Sequence, residues 1–142
     1  MAKLVNYEIA SFFDKRGHIF DTEYFIYPDG VITQIPNRDN VRCPSIYDIM
    51  DWLRDEKNID IDIKACCGML HIKVYVPCIH TYTRADKLHE DDNKVRWIQH
   101  DHYLHYEDDY GIIPAHRDFD TYEEAANAAI EYCLTKLLKR NV

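Results

Sequence analysis

The chain has 142 residues, 46% apolar and 30% charged, and its 25 Asp and Glu against 17 Lys and Arg give a formal charge of −8. That length suits one domain burying roughly two-thirds of its unfolded surface, and the acidic balance disfavours nucleic acid, whose phosphates need clustered cations. No run approaches the roughly 20 apolar residues of a membrane span, and the first residues lack the apolar core of a signal peptide.

Val5, Ile9, Phe12 and Phe13 share one helical face. Asn6 suits the cap, Lys15 and Arg16 the last turn, and Gly17 the left-handed stop. The spacing predicts a helix over about 6–16, with an extended N-terminal strand as the alternative, since Leu4 to Tyr7 tolerate extension. Thr22–Tyr27 and Val31–Ile35 are β-rich and flank Pro28-Asp29-Gly30, which reads as a tight hairpin. Residues 36–42 read as a polar loop.

From Ile46 to Leu53 the apolar residues fall at 46, 49, 50 and 53, one face of a helix. Ser45 with Asp48 resembles a capping box, Pro44 as first helical residue is the competing register, and Asn58 fits the stop. From Ile59 to Ile63 the period becomes two, a half-buried strand. Helix and strand must fold back on each other to share one core. Residues 65–68 read as a turn. Leu70, Ile72, Val74 and Val76 then alternate with polar positions, and Pro77 marks a bulge, an edge or an end.

Residues 84–94 form a charged loop, 95–106 an aromatic and histidine-rich strand antiparallel to 70–76 or 79–83, and 107–118 an irregular stretch. The span 79–118 therefore reads as an insertion-like region. Thr121 and Glu124 form a capping box for a final helix over 122–139, with Tyr122, Ala126, Ala129, Cys133 and Leu137 as its buried stripe. The order αββαββ(β)α with short turns predicts an α+β domain: a mainly antiparallel sheet with three helices largely on one face.

Three segments carry a resemblance: Val5-Asn6-Tyr7-Glu8-Ile9-Ala10 with Lys15 and Gly17; Pro44-Ser45 with Trp52-Leu53-Arg54 and Ile59; and Tyr122-Glu123-Glu124-Ala125 with Ala129-Ile130 and Leu134. In this order they resemble short uncharacterised proteins encoded by gut Bacteroidales and their phages and prophages. The likeness spans about half the chain and leaves out roughly 79–118. Its motifs are caps, core contacts and helix stops, so it implies no site residues. A mobile-element origin implies an accessory or host-interaction role.

His100-Asp101-His102-Tyr103-Leu104-His105 is the densest run of histidine. On a strand His100 and His102 point to one face, where two imidazoles can share a metal, zinc or another imidazole-tolerant ion leading. His71, His80, His116 or a carboxylate would supply a third ligand; a plain polar strand face is the competing reading. The five cysteines, Cys43, Cys66, Cys67, Cys78 and Cys133, lack CxxC spacing and read as reduced thiols of a cytoplasmic protein. Acidic groups at 48, 51 and 55, 90–92 and 107–109 read as solvated faces, without calcium-loop spacing. The four glycines sit at stops or turns, which leaves no phosphate-cradling loop and no cofactor-binding residues.

Tyr75, Tyr82, Trp97, Tyr103 and Tyr106 gather on the later strands, with Tyr110 nearby. Exposed Tyr and Trp are strong protein-binding anchors, although an aromatic core with a pleated surface is the competing reading. The expectation is a small cytoplasmic, non-enzymatic protein-binding or accessory protein without cofactor. Its partner is a second copy through an edge strand, giving a homodimer, or a host protein with a basic patch. A metal-binding protein or metal-dependent hydrolase centred on His100 and His102 is the alternative.

Overall fold

Three capped helices and two three-stranded antiparallel sheets make up an α+β fold in the computed structural model, which describes residues 3–85, 95–106 and 116–138. Most of the expected charged loop, most of the irregular stretch, Tyr110 and the end of the last helix lie outside those residues.

The helices start where local chemistry places them. In α1 (Tyr7–Lys15) the Asn6 side chain accepts from the Ile9 N–H at 3.0 Å, and Gly17 takes φ +69° just past the end. In α2 (Ile46–Lys57) the Ser45 hydroxyl accepts from the Asp48 N–H at 3.1 Å, which settles the register in favour of Ser45 over Pro44. Asn58 stops α2 at φ 55°. In α3 (Tyr122–Tyr132) Thr121 accepts from the Glu124 N–H at 3.1 Å. The expected single helix to 139 loosens after Tyr132 into a π turn, Cys133–Leu137, where the Thr135 hydroxyl donates back to the Glu131 carbonyl at 2.7 Å.

The first sheet has the order β2-β1-β3, from β1 (Phe25–Ile26), β2 (Ile32–Thr33) and β3 (Val41–Arg42). The hairpin at 28–30 forms as expected, Gly30 at φ +91° with its N–H on the Tyr27 carbonyl at 2.8 Å. The stretch read as loop contributes β3. Cys43 donates its N–H to the Tyr24 carbonyl at 2.9 Å, while the Thr22 hydroxyl donates to the Cys43 carbonyl at 2.9 Å. Two residues carry no periodic signal, so only this long-range pairing reveals the strand.

The second sheet has the order β4-β5-β6, from β4 (Asp60–Cys67), β5 (Lys73–Arg84) and β6 (Trp97–Tyr103). The turn read at 65–68 belongs to β4 as far as Cys67. The reversal falls at 68–72 instead, with Leu70 at φ 62° and His71 at φ 59°. Of the alternating residues 70, 72, 74 and 76, Leu70 and Ile72 fall in the reversal, 86% and 57% exposed, while Val74 is buried within β5. The core shared with the helices takes the other set: Ile79 of β5 with Ile61 and Ile63 of β4, which pair with Ile79 and Pro77, so the odd positions of β5 face the helices.

Pro77 lies inside the central strand, where proline is rare. Tyr75 donates its N–H to the Phe119 carbonyl at 2.8 Å, so strand alternation points position 77 to the same edge. That edge is held by Phe119 opposite Tyr75 and by β6 only from Cys78 onward. The missing N–H falls in the gap between them.

Ile9, Ile46, Ile49, Leu53, Ile79 and Ile130 are fully buried between the helices and this sheet. Each stabilises the fold by about 1.5–3 kcal/mol. At the end of α1, Phe13 meets Phe20 and Trp52 edge-on at 5.1 and 5.0 Å, fixing α1 to α2. Among the described residues no helix is long and apolar enough to cross a membrane.

Candidate functional site

Strand alternation sorts the side chains of β4–β6 onto two faces. One packs on α2 and α3: there Tyr75 meets Tyr122 edge-on at 6.3 Å. The other looks outward and carries Asp60, Asp62 and Lys64 of β4, Cys78, His80 and Tyr82 of β5, and Trp97, Gln99, Asp101 and Tyr103 of β6.

The register builds a polar cluster on the outward face. His80 and Asp101 are directly opposite, with His80 Nδ1 2.7 Å from Asp101 Oδ1. Cys78, two residues before His80 on the same face, places Sγ 3.9 Å from that same Nδ1. Gln99 donates its amide to Asp101 Oδ1 at 2.9 Å and lies 3.2 Å from His80 Nδ1. The Gln99 amide first, and the His80 ring second, hold the Asp101 carboxyl below the usual carboxylate range. Burial pushes the Cys78 thiol up, partly offset by the Tyr103 hydroxyl beside it. The Tyr82 hydroxyl donates to Asp60 Oδ2 at 2.8 Å, which pushes the tyrosine's pKa up.

This cluster is not a nucleophilic triad. A Cys-His-Asp relay sets thiol and carboxylate on opposite ring nitrogens so that a proton can pass through the imidazole. Here both face Nδ1, and the thiol is held protonated rather than activated. Three donor atoms instead converge on one point. Among the described residues Cys78, His80 and Asp101 are the one set of three whose ligand atoms all lie within 4.8 Å of one another.

His100 and His102 share a face, as read from the sequence, but it is the opposite one. His102 Nε2 lies 2.8 Å from the Thr81 hydroxyl and His100 Nε2 2.8 Å from that of Thr83. The aromatic set divides as well. Tyr82, Trp97 and Tyr103 are on the outward face, Tyr75 is on the helix-packed one, and Tyr106 lies past β6 with its hydroxyl on Asp118 at 2.6 Å. Tyr103 stacks on His116 with centroids 3.9 Å apart and planes 5° apart.

The sequence does contain the cluster's parts, as Cys-x-His at 78–80 and the Asp between two histidines at 101. What joins them is the β5–β6 register, set across a long connection that local pattern does not fix. A cavity of about 610 Å³ lies between α1, the end of α3 and the chain leaving β6, and Cys78, His80 and Asp101 take no part in it.

β4 and β6 are the two edges of this sheet. β4 carries Asp60, Asp62 and Lys64, the charges that discourage strand addition. β6 reads Trp-Ile-Gln-His-Asp-His-Tyr, without lysine, proline or bulge, and among the described residues it pairs only with β5. Trp97 is 55% and Ile98 50% exposed, one on each face of that edge. No family model, curated protein or solved structure matches the chain.

Proposed function

We propose that this chain is a small, non-enzymatic protein-binding protein of the accessory kind, and that its binding element is the outer edge of β6. The observation behind this reading is the contrast between the two edges: β4 is charged, while β6 is apolar at one end and bears a single acid. An extended partner segment would gain main-chain hydrogen bonds from the edge and anchor on Trp97.

The occupant that β6 fits is β6 of a second copy. Antiparallel pairing about His100 sets Trp97 opposite Tyr103, Ile98 opposite His102 and Gln99 opposite Asp101, with no like-charged carboxylates facing each other. Five free thiols suit a reducing, cytoplasmic setting. Light scattering across a concentration series tests the reading: a dimer that Trp97→Lys disperses is expected. A strictly monomeric wild type at the highest concentration would count against it, as would a dimer that the substitution leaves unchanged.

A further inference from the structure

We infer that Cys78, His80 and Asp101 form a binding site for a divalent transition-metal ion of the zinc class on the outward face of the second sheet. The inference stands apart from the edge-pairing reading. Sulfur, imidazole and carboxylate are the donors such ions take, in the number that leaves a coordination position open.

A tetrahedral ion with these bond lengths holds sulfur and nitrogen about 3.5 Å apart, and nitrogen and oxygen about 3.3 Å apart. Cys78 Sγ and His80 Nδ1 stand at 3.9 Å, so a small closing movement suffices. His80 Nδ1 and Asp101 Oδ1, at 2.7 Å, must open slightly, which the half-exposed Asp101 side chain can do. The Gln99 amide already orients the carboxylate, the supporting role that outer residues play around metal ligands. Asp62 is directly opposite Cys78 on the same face, and it or a water would supply the fourth ligand. On binding, the Cys78 thiol releases its proton to solvent as the sulfur–metal bond forms, and the His80 ring carries its proton on Nε2.

Cobalt(II) is the probe, because a thiolate ligand gives it an intense near-ultraviolet charge-transfer band. Titration is made on the full chain with Cys66→Ser and Cys67→Ser, which removes the two exposed thiols. Uptake of one ion per chain with that band, displaced by zinc, is expected. Cys78→Ser should abolish the band. Asp101→Asn and His80→Gln, which do not alter the buried thiol, should each abolish stoichiometric uptake, and Gln99→Ala should weaken it about tenfold. His100→Ala with His102→Ala should leave it intact. Absence of uptake overturns the assignment, and so does uptake unchanged in Asp101→Asn and His80→Gln.

Discussion

Burial divides the five thiols into two kinds. Desolvation pushes Cys133 up to about 12 and Cys43 up to about 11, and the Cys43 thiol donates to the Val5 carbonyl. Cys78 is also buried and raised, whereas Cys66 and Cys67 are exposed. An aromatic disulfide reagent should therefore modify Cys66 and Cys67 promptly, and the other three only after denaturant is added; prompt reaction of Cys133 would contradict its burial. The same shifts fix a sign. A raised thiol binds its proton more tightly when folded, so its stabilising contribution is complete below the ordinary value of 9.0 and is lost as pH rises toward 11–12. Urea denaturation should show stability falling through that alkaline window. Ile49→Ala, in contrast, should cost about 2–5 kcal/mol at any pH, because it opens a cavity in the fully buried core.

At the scale of elements, Asn6 does more than cap α1. Its backbone N–H donates to Asn127 Oδ1 at 2.8 Å and its side-chain amide to Glu131 Oε1 at 2.7 Å, joining the start of α1 to α3. Asn6→Ala should cost about 1–3 kcal/mol by denaturation. Asn6→Asp keeps the cap but sets a carboxylate against Glu131, so it too should destabilise; a neutral result would reduce Asn6 to a simple cap. In the β4–β5 turn, Leu70 holds a left-handed backbone while its side chain is 86% exposed. Leu70→Asn should stabilise by about 0.5–1 kcal/mol, read from the shift in urea midpoint.

These elements also show what a sequence discloses. Asn6, Ser45 and Thr121 are legible because a cap bonds only three residues ahead. The isoleucines at 59, 61 and 63 and the faces of α1 and α2 are legible because they repeat at the period of their own element. β3, the reversal at 68–72 and the helix-facing side of β5 answer to partners far along the chain: Tyr24 for Cys43, Ile63 for Pro77, Phe119 for Tyr75. The same limit hides the site. His100 and His102 sit two apart and are conspicuous, whereas Cys78, His80 and Asp101 meet only through cross-strand pairing.

For the molecule as a whole, the two faces of β4–β6 have unequal tasks. One is closed by α2 and α3 and supplies stability. The other presents the Cys78–His80–Asp101 cluster and, at its edge, Trp97. Under the proposed edge pairing, Trp97→Lys should alter association with little change in the denaturation midpoint, since more than half of that side chain is exposed.

The most direct test of β6 as the binding edge is amide hydrogen exchange, resolved by residue, in dilute and concentrated solution. The Tyr75 bond to Phe119 sets the phase of the ladder, so the N–H groups of Ile98, His100 and His102 face β5 while those of Trp97, Gln99, Asp101 and Tyr103 face outward. Pairing between copies predicts that exchange at these four outward amides slows with concentration while the alternate three change little. Exchange at the four that is equally fast at every concentration would contradict the account.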